Sequence, residues 1–252
     1  MPTTLIVLAH PEPQSFNAQW ARASAAASTA LGHEVIWSDL YAMGFDPAER
    51  AAHYDPSADL PFDPLKAQAQ AAATGLPADI AAEVDKLRRA DRIIFHFPLW
   101  WFSPPAMLKG WCDRALPHGA LHTTAERFDT GMLAGKKALL CVTTGSSAAE
   151  SAHNGKEGDV GLLLWPLAYT LRYVGLSVLQ PICVHGVHGY HRGDGAVALG
   201  DRLQTALAGQ ADLIAGFDTL PEIAFNADSD FDARGRLFAD KPSHTPFIRH
   251  KP

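Results

Sequence analysis

The chain is poor in residues that staple a fold, cross a membrane or bind by charge alone. Only three cysteines, Cys112, Cys141 and Cys183, are spread through 252 residues. Their odd number and wide spacing exclude a disulfide framework and a zinc ribbon, and a reducing cytoplasm is the expected setting. Charged residues make up 19% of the chain, with a formal charge of −6. No basic patch interrupts that balance, so nucleic acid is not an expected partner. Long apolar runs are also missing. The longest, Leu162 to Leu171, is broken by Pro166, and it falls well short of a membrane span. The opening residues MPTTLIVLAH carry no basic region and no cleavage signal, so they read as a first strand rather than a targeting segment.

Familiar nucleotide and hydrolase signatures are absent as well. No G-x-G-x-x-G follows the first apolar run, and Gly131, Gly135, Lys136 and Lys137 have the wrong spacing for a phosphate loop. No G-x-S-x-G elbow offers a hydrolytic serine. His185, His188 and His191 recur every three residues, but in a glycine-rich stretch without a carboxylate cluster. Solvated loop histidines are the expectation there, not a metal site.

What remains is ordinary globular material, 47% hydrophobic, in which apolar runs alternate with helical patterns. Strands are predicted over Thr4–Ala9, Glu34–Ser38, Arg92–Phe97, Lys137–Thr143 and Leu176–Val184. Helices are predicted from an N-cap at Ser15 to about Leu31, then over 63–73 and 78–90. Further helices are expected from Pro104 and Pro105 to Leu116, over 159–174, and over 196–215. Residues 39–77 form the main irregular insertion. Five β/α repeats predict an α/β fold with a doubly wound, five-stranded parallel sheet. One domain is expected over residues 1–220, with a C-terminal wrapping tail over 221–252.

In such a sheet the ligand lies beyond the carboxyl ends of the strands, where strand order reverses. Three loops therefore carry the chemistry. His10–Asn17 delivers Ser15, Phe16 and Asn17 to a helix start, where exposed N–H groups favour a phosphate; a plain N-cap with a proline turn is the simpler alternative. Pro98, Leu99, Trp100, Trp101 and Phe102 place three large aromatics in a row, which suits stacking on a flat ring. A core or interface role is open for at least one of them. Thr143, Thr144 and Gly145 offer hydroxyls and a close backbone approach, although Gly145 also suits a tight turn.

With these loops in place the chain resembles the NAD(P)H:quinone oxidoreductase (DT-diaphorase) family of flavodoxin-like reductases. The resemblance rests on LIVLAHPEPQSFN (5–17), WSDLYAM (37–43), IIFHFPLWWFSPPAMLKGWCDR (93–114), VTTG (142–145), the pair GD (158–159) and LLLWPL (162–167). It covers about residues 4–185, with a weaker echo in DFDARG (230–235). It implies a flavodoxin-like fold, a homodimer, FAD (FMN being the alternative) and NAD(P)H as hydride donor. Two electrons would pass by a ping-pong route through flavin N5 to a quinone or another small aromatic acceptor. By matching position, His10, Ser15, Phe16 and Asn17 would hold the diphosphate and ribose. Residues 98–102 with Thr143, Thr144, Gly145 and Ser146 would line the flavin ring. Trp101, Phe102 and Ser151 would meet the substrate.

This chain departs from the family over residues 146–159. A tyrosine and a histidine that stabilise the reduced flavin align with Ser151 and Glu157, and Ser146 replaces a glycine. Three outcomes are open for Glu157: it is protonated, it yields to His153 or Lys156, or it caps the following helix. His153 and Lys156 are the expected substitutes in catalysis, beside the Gly145 backbone. An azo- or nitroreductase using FMN and a one-electron flavodoxin-type carrier are the competing functions, with a regulatory flavin-binding subunit a weaker one.

Overall fold

A computed structural model describes residues 1–54 and 61–250. Part of the predicted 39–77 insertion therefore lies outside the described residues. The elements run in chain order β1 (Thr3–Leu8), α1 (Phe16–Ala30), β2 (Glu34–Asp39), α2 (Pro64–Thr74) and α3 (Ala78–Arg89). Then come β3 (Arg92–Pro98), α4 (Ala106–Ala115), β4 (Lys137–Thr143), α5 (Val160–Tyr173), β5 (Ser177–Val178), β6 (Ile182–Val184), α6 (Asp194–Ala208) and α7 (Gln210–Ala215).

The strands pair in parallel in the order β2-β1-β3-β4-β5, and β6 also pairs with β4. The chain starts in the middle of its own sheet and winds outward both ways, which is the flavodoxin-like, doubly wound arrangement. Every residue of β1 is buried, because helices cover both sheet faces and alternate side chains enter opposite layers. Leu5 and Val7 join the layer packed by α3, α4 and α5, whereas Ile6 and Leu8 join the layer packed by α1 and α7.

Each layer also holds a buried polar group. On the first face Glu83 is fully buried. Its carboxylate accepts from Ser38 Oγ at 2.6 Å, Trp111 Nε1 at 2.8 Å and Lys86 Nζ at 2.6 Å, so α3 is tied to β2 and α4. On the second face His96 is 2.9 Å from Ser24 Oγ. Gln210 donates to that hydroxyl and accepts from Trp20 Nε1, both at 2.7 Å. The Nδ1 of His96 is buried with no partner among the described residues, and burial lowers its pKa to about 3.

Two elements depart from the sequence expectation. The fifth strand is two short pieces, because Pro181 has no N–H to give the ladder. The preceding Gln180 N–H turns away to Pro221 O at 2.7 Å. Ile223 N–H then donates to Val178 O, so the segment after Pro221 covers the edge of β5. The predicted helix over 196–215 is two helices, α6 and α7, meeting at Gly209. Among the described residues no helix is long and apolar enough to cross a membrane.

Candidate active site

The carboxyl ends of β1, β3 and β4 bring the three sequence-marked loops together, and specific bonds lock them. Asn17 Nδ2 donates to Thr143 Oγ1 at 2.9 Å, joining the start of α1 to the end of β4. Leu99 N–H donates to Thr143 O at 2.8 Å, joining the β3 loop to the same residue. The rings of His10 and Trp100 lie 5.9 Å apart. Thr143 is thus the hub of the site floor.

In the first loop, Ser15 caps α1 by accepting from Ala18 N–H at 3.2 Å. The N–H groups of Phe16 and Asn17 belong to the first turn, where no helical carbonyl reaches them. The side chain of Phe16 points inward, 5.4 Å from the Trp20 ring, so only its backbone serves the rim. Glu12 N–H donates to His10 Nδ1 at 3.0 Å. A neutral His10 therefore carries its proton on Nε2, and burial lowers its pKa despite opposing help from Glu12.

The second loop is a tight reversal. Trp100 and Ser103 exchange both backbone bonds, at 2.9 and 3.1 Å. The two central residues, Trp101 and Phe102, have φ of 50° and 62°. That is the type I′ pattern, which normally calls for Asn and Gly. Two bulky residues held there store strain of about 1–2 kcal/mol each. They are also exposed, Trp101 at 93% and Phe102 at 53%. Local propensity and the hydrophobic effect both oppose this turn, and the paired backbone bonds of Trp100 and Ser103 hold it.

Facing it, Gly145 presents open space where a Cβ would stand. A groove of about 510 Å³ is lined by Pro98, Trp100, Thr143 and Val187. A second of about 420 Å³ is lined by Phe102, Ser146, Glu150, Ser151, Glu157 and Leu163. Leu99, Trp101, Thr144 and Gly145 line both, so the two form one trough along the sheet edge.

The loop after β4 closes the second groove. Ser146 Oγ and Ser151 Oγ are 2.7 Å apart; one hydroxyl donates to the other, which leaves one O–H free. Glu150 accepts from Ser147 N–H and Oγ at 3.0 and 2.9 Å, and these bonds hold its carboxyl below the usual range. Gly155 packs so tightly on this turn that a Cβ would stand 2.2 Å from Glu150 O. Asp159, not Glu157, caps α5, accepting from Gly161 N–H at 2.8 Å. Glu157 instead lines the groove. His153 and Lys156, the expected substitutes, are exposed and do not line it. Lys156 Nζ lies 3.8 Å from Glu150 Oε1.

His185 departs from its expected role as a solvated loop histidine. Thr144 Oγ1 donates to Ser146 O at 2.9 Å, which spends its only hydrogen. His185 Nδ1, also 2.9 Å from that oxygen, must then be a donor. Burial, and then Arg202, lower the pKa of His185. Val187, Glu150 and Leu163 likewise line the trough without a sequence signal. Among the described residues no group of three His, Cys, Asp or Glu side chains is placed to hold a metal.

Comparison with known proteins agrees with this geometry. The family model of the flavodoxin-like fold matches residues 2–206. Rat NAD(P)H dehydrogenase [quinone] 1 is 41% identical over 187 residues, 73% of this chain and 68% of that protein. Human ribosyldihydronicotinamide dehydrogenase [quinone] is 41% identical over 186 residues, 70% of this chain and 78% of that one. A Klebsiella pneumoniae crystal structure described as a candidate quinone reductase superposes with a TM-score of 0.82 at 32% identity, covering 94% of each chain. The family model and these relatives show that the chain is an oxidoreductase and belongs to the NAD(P)H:quinone oxidoreductase family.

Proposed function

We propose that the protein is a flavin-dependent reductase that moves two electrons from NAD(P)H to a quinone or similar electrophile. One observation carries the reading: a strained, exposed aromatic turn stands opposite the open backbone at Gly145. The residues present fit a flavin. The Gly145 backbone allows close approach of a flat ring, and the buried Asn17 Oδ1 has no partner among the described residues. The start of α1 favours the charge of a phosphate or diphosphate. FAD is the proposed form, with the loop that carries Arg192 available to an adenylate.

When bound, the flavin supplies a two-electron relay, taking hydride from NAD(P)H and passing it on to the acceptor. The protein's part is placement and exclusion of water. His10, through Nε2–H, and the N–H groups of Phe16 and Asn17 would anchor the anionic end. Pro98 to Trp100 and Thr143 to Ser146 would hold the ring edge, with Thr144 fixed by His185. Trp101 and Phe102 would form the wall on which donor and acceptor stack in turn. The free hydroxyl hydrogen of the Ser146–Ser151 pair is a donor at the groove edge, where negative charge needs one. So exposed a wall needs cover, and a second copy of the chain is the proposed lid. All three cysteines are free, which suits a reducing cytoplasm.

The test is direct. The purified protein should be yellow, release FAD on denaturation, bleach on mixing with NAD(P)H and recolour with a quinone. Release of FMN would move the cofactor assignment, and a colourless protein that fails to take up added flavin would end the reading. Sedimentation should show a dimer; a fully active monomer would remove the shared lid.

A further inference from the structure

The second groove pairs an aromatic wall with carboxylates, and among the described residues no Lys or Arg lines it. Trp101 and Phe102 form one side, and Glu150 and Glu157 stand among the remaining lining residues. The two carboxylates differ. Glu150 is engaged by Ser147 N–H and Oγ, with Lys156 beside it. Among the described residues no side chain bonds or pairs with the carboxylate of Glu157; only its backbone N–H is used, donating to Glu150 O at 3.0 Å. The position is built rather than accidental. The contact of Gly155 with Glu150 O and the capping of α5 by Asp159 fix the chain on both sides of Glu157. A flat aromatic face and a free carboxylate together recognise one kind of ligand, a planar aromatic cation.

We propose that Glu157 sets the acceptor specificity of the groove, selecting planar aromatic acceptors that carry delocalised positive charge over anionic ones. The inference rests on the reductase reading above. The chemistry balances: a cationic acceptor A⁺ takes the hydride and becomes neutral AH, while NAD(P)H becomes NAD(P)⁺. The carboxylate therefore holds the oxidised acceptor more tightly than its neutral reduced product. An acceptor bearing a sulfonate meets two carboxylates instead and is disfavoured.

Two measurements on the purified holoenzyme decide it. The first compares kcat and KM for a phenothiazinium dye, an uncharged naphthoquinone and a naphthoquinone sulfonate, in the parent protein, Glu157→Gln and Asp212→Asn. Asp212 lies exposed on α7 and controls for net charge. In the parent protein the cationic acceptor should have the highest kcat/KM. Glu157→Gln should lower its advantage over the sulfonate by roughly tenfold, the change made by 1.4 kcal/mol, mainly through KM. Asp212→Asn should leave the ratio in place. The second follows tryptophan quenching by 9-aminoacridinium, a planar cation that accepts no hydride, against uncharged acridone. Glu157→Gln should weaken only the cation, by a similar factor. A parent protein without cation preference, or a Glu157→Gln variant that keeps it in both measurements, overturns the proposal. If no acceptor is reduced at all, the reductase reading falls, and the acridinium titration alone still decides the role of Glu157.

Discussion

The floor of the sheet and the rim at its carboxyl ends obey opposite rules. On the floor, the charge of Glu83 is buried yet met by three donors. At the rim, Trp101 and Phe102 occupy positive φ and expose indole and phenyl rings to solvent, while Asn17 Oδ1 goes without a partner among the described residues. Backbone strain and exposed aromatic surface meet at the rim, the proposed ligand site, whereas buried polar atoms without a partner among the described residues also occur elsewhere, His96 Nδ1 among them. His96 lies between the two, in β3 one residue before Phe97 and the Pro98–Phe102 turn, with one ring nitrogen satisfied and one not.

The largest expected effect breaks the floor. Glu83→Ala removes the common acceptor of Ser38, Lys86 and Trp111 and leaves the Lys86 ammonium with only the neutral Ser38 Oγ, at 3.2 Å. Loss of one partner of a buried charge pair destabilises by about 3–5 kcal/mol, so the urea midpoint should fall sharply. Glu83→Gln, which keeps an acceptor oxygen, should lose less. Near-parental stability in Glu83→Ala would mean the floor does not depend on this network.

The next effect is acid-dependent and belongs to His96. The unfolded imidazole takes up a proton near 6.5, whereas burial lowers the folded value to about 3. Between those values the unfolded chain binds more protons. The contribution of His96 is therefore complete above pH 6.5 and is lost as pH falls toward 3. The loss approaches ~1.4 kcal/mol per pH unit over that window and amounts to a few kcal/mol. His10, His33, His122 and His185, also lowered chiefly by burial, act in the same direction. The test is thus a difference: His96→Leu should show a shallower fall in urea stability than the parent between pH 6.5 and 4.5. Parallel curves would refute the assignment.

The contrast between floor and rim also explains what could be read from the chain. Lys137–Thr143 is a strand in sequence and structure alike, because a strand covered on both faces is written as an unbroken apolar run. The same rule misleads at Leu176–Val184, where Gln180 and Pro181 interrupt the ladder, although Pro181 was visible all along. Loop positions beyond β1, β3 and β4 follow from topology, so the places of His10, Trp101 and Gly145 are legible in the sequence. Side-chain aim within 146–159 was not legible. The packing of Gly155 on Glu150 O brings Glu157 to the groove and leaves Lys156 outside, and no periodic signal encodes that. His185 is bound through Thr144, distant in sequence, and its glycine-rich neighbourhood suggested only solvent.

The smallest expected effect has the opposite sign from the others and sharpens the comparison most. If the rim is strained for function, relieving the strain should stabilise the fold and weaken the site. The double variant Trp101→Asn with Phe102→Gly installs the pair that a type I′ turn prefers. It removes two left-handed bulky residues and much exposed apolar surface. The extra entropy of glycine in the unfolded chain offsets part of this by about 0.5–1 kcal/mol. A net gain of about 1 kcal/mol is expected in urea unfolding. Both proteins must first be stripped of bound flavin, since a ligand held only by the native state adds its own stabilisation. In steady-state assays on the flavin-loaded proteins, NAD(P)H-dependent quinone reduction should drop about tenfold or more, a barrier change of ~1.4 kcal/mol or greater. A less stable double variant would show that the turn is relaxed in the parent. Undiminished turnover would show that the aromatic wall is not where donor and acceptor stack.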